Sequence, residues 1–285
     1  MHAAACQHAG IAAADPQLAA ALDQPVAALM GEIAVAEWPV DEVLAQLVPL
    51  SSDYENNREL VTRALVRLQI AAPEEAVGRV AGAIADVEAA LRRASPEIVE
   101  ELALRGGPIR EQWEARGPGM LVNLARLTDP AVVPEAAEIV LAGPYAGGHG
   151  WAHAAQNRVT LEAVLVNPHS ELPEAVRVAW LVAQLNSDLP LFADVIPPGR
   201  GPAAFALAML APALAAGEAV ELTRCDEEML GMAIEFWRVR YSGMGPELPA
   251  DAAARVWQWW NAWLDHSKKW GVAVAALEGL MRAEM

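Results

Sequence analysis

Residues 142–185 read AGPYAGGHGWAHAAQN (142–157), RVTLEAVLV (158–166), NPHSELPEA (167–175) and VRVAWLVAQL (176–185). In order, these are a glycine-rich loop, a β-branched run, a polar break and an apolar run. The alternation across Val159–Val166 predicts a strand. The run Val176–Leu185 after Pro173 offers only Arg177 and Gln184 as polar groups, which predicts a helix buried on most faces. Upstream, EAAEIVLAG (135–143) ends in a strand-like stretch, so Ile139–Ala142 is the natural neighbour of Val159–Val166. The segments on either side show helical signals. The expectation is therefore a mainly helical α+β protein, with helices around a small sheet.

Moving outward, the punctuation divides the chain. Residues 1–14 (MHAAACQHAGIAAA) read as a flexible tail, 15–116 as an N-terminal helical region and 117–196 as the strand–helix core. PPGRGP (197–202) is a linker signal, and 203–285 forms a C-terminal helical region that can share one domain with the core. Ser52 and Glu55 match a capping box for the first clean helix, Pro73 opens the next, and Gly106–Gly107 is expected to stop the one after. The charge-free stretch Gly201–Gly217 reads as a buried helix. It contains Pro212, is rich in alanine and falls short of the roughly 20 strongly apolar residues of a membrane span.

The 285 residues carry a formal charge of −17, which argues against nucleic acid and anionic membranes as partners. The first residues hold no Lys or Arg and make a poor secretory signal. Two cysteines, Cys6 and Cys225, give no disulfide framework, so a cytoplasmic location is expected.

Several constellations bear on chemistry. The loop Gly143–Gly150 lacks the G-x-x-x-x-G-K-[ST] pattern and is followed by a strand, so a nucleotide site is not expected. His149 and His153 would share a face if Gly150–Ala154 were helical, and His169 would add a third ligand or base. His2, Cys6 and His8 form a second set, which a disordered alanine-rich end explains better. Cys225 stands at a helix start, where packing is the simpler role. Five of the ten tryptophans lie between Trp257 and Trp270. At 100° per residue Trp259, Trp260, Trp263 and Trp270 form one arc with Val256. Such a stripe is expected to be mostly core, and any exposed ring would be a candidate for partner binding.

The unit RVTLEAVLVNPHSELPEAVRVAWLVAQL (158–185) resembles the segment around the active-site helix of zincin metallopeptidases. On the apolar frame, that family's H-E-x-x-H falls on Trp180, Leu181, Val182, Ala183 and Gln184, which cannot hold zinc or activate water. The resemblance therefore implies a degenerate core without the family's chemistry. LRGGPIREQWEARGPGM (104–120) and residues 158–186 also resemble an uncharacterised bacterial family of planctomycete type, which implies no activity. The leading expectation is a non-enzymatic scaffold or protein-interaction module without a cofactor, binding a protein partner or a second copy. The rival is a zinc-dependent hydrolase using His149, His153 and His169.

Overall fold

The computed structural model describes residues 1–164, 169–239, 248–265 and 269–282. Six helices come first: α1 (His2–His8), α2 (Pro16–Val35), α3 (Val40–Leu50), α4 (Asn57–Arg67), α5 (Glu74–Ala94) and α6 (Ile98–Leu127). The sheet follows as β1 (Glu138–Ala142), β2 (Gly150–His153) and β3 (Arg158–Glu162). After it come α7 (Glu174–Val182), α8 (Pro190–Ala193), α9 (Gly201–Ala208), α10 (Leu210–Glu218), α11 (Glu227–Phe236), α12 (Ala252–Asp265) and α13 (Trp270–Arg282). The fold is mainly helical α+β, with a small three-stranded mixed sheet.

Strand order is β1-β3-β2, with β1 parallel and β2 antiparallel to β3. The anticipated neighbour pairing is present, Ile139 standing opposite Val159 and Leu141 opposite Leu161. The central strand is shorter than its sequence pattern, ending at Glu162; Leu165 and Val166 lie outside the described residues. β2 is a strand where the sequence reads as loop or short helix. The link from β2 to β3 is a single 3₁₀ turn closed by Asn157 at φ 50°. Asparagine tolerates that left-handed conformation better than most residues, which lets the two strands fold back after so short a connection.

Two apolar clusters flank the sheet. One gathers α1–α5 together with Tyr145 and Ala146 of the glycine-rich loop. Within it α2 buries the stripe Leu18, Leu22, Val26, Leu29 and Ile33, the i, i+3/i+4 spacing of an amphipathic helix. The larger cluster gathers the C-terminal half of α6, the sheet's Val159 and Leu161, and α7–α13. α7 lies at its centre. Trp180 is buried, stacks on Trp237 with ring centroids 5.3 Å apart, and donates through Nε1 to the Ala206 carbonyl at 2.8 Å. α9 and α10 form one nearly continuous buried rod broken at Met209. Pro212 cannot donate to the Ala208 carbonyl and its ring crowds that group, which accounts for the break. Two stretches, Pro16–Val35 and Gly201–Glu218, are long and apolar enough by composition to cross a membrane. The second has most of its surface inside the C-terminal cluster.

Three sequence expectations change. The tail at 1–14 contains α1, whose Ala4, Ala5 and Cys6 pack into the N-terminal core. Alanine has the highest helix propensity, and the docked face supplies the stability a free seven-residue helix lacks. The capping residue of α4 is Asn56, which accepts from Arg58 N and Glu59 N, because Ser52 is engaged with Arg158. Helix α6 runs unbroken through Gly106, Gly107, Pro108 and Pro118. Its packing on α7 and α10 outweighs local propensity there, and the boundary expected between 116 and 117 falls inside it. The tryptophan arc, expected to be mostly core, is interior: Val256, Trp259, Trp260 and Trp270 are buried and Trp263 is half-buried. Trp259 donates to Ala273 O and Trp263 to Leu127 O, fastening α12 to α13 and to the end of α6.

Candidate functional site

Side chains of a strand alternate between faces, so β3 presents Val159 and Leu161 to one side and Arg158, Thr160 and Glu162 to the other. The first face packs into the C-terminal cluster. The second is polar yet buried, covered by the N-terminal helices. Register adds His149, Trp151 and His153 to it, since Trp151 pairs with Thr160, His153 with Arg158, and Glu162 N donates to His149 O. A buried polar face must be satisfied from within.

Arg158 anchors one end. Its guanidinium donates to Asp53 (2.8 and 3.0 Å), Glu138 (2.5 Å from Nη2), Ser52 Oγ (3.0 Å) and the Pro49 carbonyl, tying the end of α3 to the sheet. Those hydrogen bonds, first of all the one to Asp53, raise its pKa further. In the middle, Thr160 Oγ1 lies 3.0 Å from His153 Nε2.

Glu162 occupies the other end and is fully buried. Oε1 accepts from Tyr145 N (3.0 Å) and Ala146 N (2.9 Å); Oε2 accepts from Gly148 N (2.8 Å) and His149 N (3.0 Å). The glycine-rich loop is thus an anion cradle, and the anion it holds is the chain's own carboxylate. Gly148, at φ +150°, has no room for a Cβ, which would sit 2.4 Å from the Phe236 carbonyl. His2 Nε2 completes the shell at 3.0 Å from Oε1. Burial pushes the Glu162 pKa up, but His2 and the loop N–H groups together outweigh it and bring it to about 2. Glu162 is therefore an anion at neutral pH and a poor general base.

Around this carboxylate sit further buried groups. Cys6, one helical turn after His2 on α1, places Sγ 3.5 Å from His2 Nε2. The His149 ring stacks on His2 with centroids 6.0 Å apart and meets Trp151 edge-on at 4.9 Å. It is 5 % exposed, and neither ring nitrogen makes a hydrogen bond of regular geometry. Burial, and next the nearby His2, lower its pKa to about 3; Glu162 and the Trp237 backbone pull the other way. On the far side of the strand, Arg177 of α7 donates through Nη2 to the Glu162 main-chain carbonyl at 2.6 Å and pairs with Glu174. Burial raises the Glu174 pKa against the pull of that pair.

The three histidines of the hydrolase expectation do not meet. Because 150–153 is a strand, His149 and His153 share a face but stand about 13 Å apart along it. His169 stacks on Phe236. Among the described residues only His2, Cys6 and Glu162 bring three metal-binding atoms together, all within 4.8 Å of one another. His8, the third member of the N-terminal set, turns away to Asp41 at 2.8 Å. Cys225 donates to Ala211 O, and burial pushes its thiol up to about 12, far from a thiolate nucleophile. Gln184 donates to the Trp180 carbonyl, so both end positions of the zincin-like frame are engaged internally.

Sequence reasoning missed Glu162. One signal was available: a carboxylate inside a run of β-branched and apolar residues must be buried and partnered. Nothing local named His2 as its partner. No protein-family model, curated protein or solved structure matches this chain.

Proposed function

We propose that the chain is a non-enzymatic protein-interaction module whose contact surface is the apolar face where α8 meets α13. The observation that carries this reading is a cluster of exposed aliphatic side chains: Leu189, Leu191, Val195 and Val272. Leu191 and Val195 close over Gly271, where an added Cβ would lie 2.8 Å from Leu191 O and 3.0 Å from Val195 Cγ2. Val272, the next residue of α13, and Leu189, just before α8, are exposed beside them in the chain. Contiguous apolar surface of this kind marks contact sites.

Within the core, the polar groups that would otherwise invite catalysis are engaged in holding the halves of the molecule together. Glu162 is bound by its own loop and His2, and Arg158 by α3 and β1. The strand–helix unit that resembles a zincin core would serve as a frame for this surface.

Photo-crosslinking tests the assignment. A benzophenone side chain at position 191, introduced in the native host, is expected to give a discrete adduct that disappears when Val195 and Val272 are both changed to Asp. The same probe at Leu104, exposed on α6, is the control. Equal adducts from both positions, or none from 191, would reject the surface. Mass spectrometry of the adduct separates a second copy of the chain from a different protein.

A further inference from the structure

One cluster lies outside the interaction reading and is independent of it. We propose that His2, Cys6 and Glu162 bind a divalent ion of the zinc class, with His149 as an additional nitrogen donor.

The three donor atoms lie within 4.8 Å of one another. His2 Nε2 lies 3.5 Å from Cys6 Sγ and 3.0 Å from Glu162 Oε1. Tetrahedral ligands at zinc distances, about 2.3 Å for sulfur and about 2.0–2.1 Å for nitrogen, are separated along their edges by roughly 3.3–3.6 Å. Small outward movements suffice. His2 and Cys6 are spaced i, i+4 on one face of α1, the spacing that lets a helix offer two ligands to one ion. Glu162 is fixed beneath them by four backbone N–H groups, so one ligand is already positioned.

Charge and donor type also fit. A thiolate and a carboxylate around a divalent cation give a neutral centre, which a buried site requires. One nitrogen, one sulfur and one oxygen donor select zinc or cobalt over magnesium or calcium. On binding, the Cys6 proton leaves to solvent. The Nε2 proton that His2 now gives to Glu162 moves to Nδ1, a buried atom with no hydrogen-bond partner. His149 supplies the second, independent observation: an almost fully buried imidazole, neither nitrogen of which makes a hydrogen bond of regular geometry, stacked on one of the proposed ligands. A cavity of about 300 Å³ lined by Met1, His2, Tyr145 and Thr160 offers a route for the ion.

Untagged full-length protein, stripped with chelator, is titrated with cobalt(II) alone. The expected result is one equivalent bound, with a sulfur-to-cobalt charge-transfer band in the near ultraviolet and d–d bands of tetrahedral intensity. C6S removes the charge-transfer band, H2A weakens binding more than about a hundredfold, and H149A weakens it by at least about tenfold. C225S and H8A leave the spectrum unchanged. Should C6S fail to fold, C225S protein provides the reading: one equivalent of zinc must protect the remaining thiol from a disulfide reagent. Absence of the charge-transfer band in folded protein, its persistence in C6S, or no protection in C225S overturns the assignment.

Discussion

Replacing Glu162 by Gln tests the reading of the polar face most directly, because the change is nearly isosteric and removes only charge and one acceptor. The carboxylate accepts two backbone N–H groups on each oxygen and His2 on one of them. A carboxamide keeps one carbonyl oxygen. Whichever way it sits, its NH₂ faces two backbone donors, either Gly148 and His149 or Tyr145 and Ala146. Two buried donors without acceptors cost about 1–3 kcal/mol each, so roughly 2–6 kcal/mol in all. Linkage gives a second route to the magnitude. A pKa held at about 2, against an ordinary 4.5, means that the fold prefers the charged form by about 3 kcal/mol. The two routes agree on a loss of about 3–4 kcal/mol, a large share of the roughly 5–15 kcal/mol of a typical domain. Urea unfolding should show the midpoint falling with little change in slope. Amide exchange should quicken at Tyr145, Ala146, Gly148 and His149 before it does elsewhere. E162Q protein within about 1 kcal/mol of the parent, with those four amides still protected, would refute the claim that this carboxylate organises the loop.

Acid should destabilise the fold with a defined sign. His149 and His153 are held at about 3 and about 4, so below about pH 6.5 the unfolded chain takes up protons that the folded chain refuses. Stability therefore falls with pH, by about 2 kcal/mol at pH 5 for His149, and Glu162 adds its loss as pH drops from its ordinary 4.5 toward 2. A flat stability profile between neutrality and about pH 5, or the same slope in H149F, would contradict this. Arg177→Met leaves Glu174 buried without its cation and should cost roughly 3–5 kcal/mol, whereas Arg177→Met with Glu174→Met should recover most of the loss. An additive double variant in chemical denaturation would count against that pairing. Trp180→Ala removes the stack on Trp237 and the bond to Ala206, for an expected loss of roughly 3–5 kcal/mol. A loss below about 1 kcal/mol would show that α7 is not the centre of the larger core.

The parts of this fold that were legible in the sequence are those written in periodicity. The alternation in 159–166, the matching stretch at 139–142 and the largely apolar 176–185 predict a paired strand and a buried helix, and these are found over 158–162 and 174–182. The tryptophan spacing likewise announces a buried stripe. β2 escaped because Gly-Trp-Ala-His is four residues long and gives a period-two pattern little room. The expectation for α6 failed because Gly106, Gly107, Pro108 and Pro118 are local signals, and tertiary packing overrode them. The candidate site was least visible of all. Its ligating atoms come from residues 2, 6 and 162, and no window of sequence contains both ends of a contact spanning 160 positions. A terminal run of alanines with a His and a Cys looks like disorder until the strand that receives it is known.

That same separation sets an order of events during synthesis. α1 is made long before its seat, which includes Tyr145, Ala146 and Glu162, and a free helix of seven residues does not persist in water. At ribosomal rates of about 5–20 residues per second, roughly 8–30 s pass before Glu162 exists to receive His2. Helices α2–α5, whose contacts with one another are local, can assemble in that interval. A segment made well before its seat is thus among the last to settle, and the N-terminal cluster stays open on one side until the strand from residues 158–162 arrives to close it.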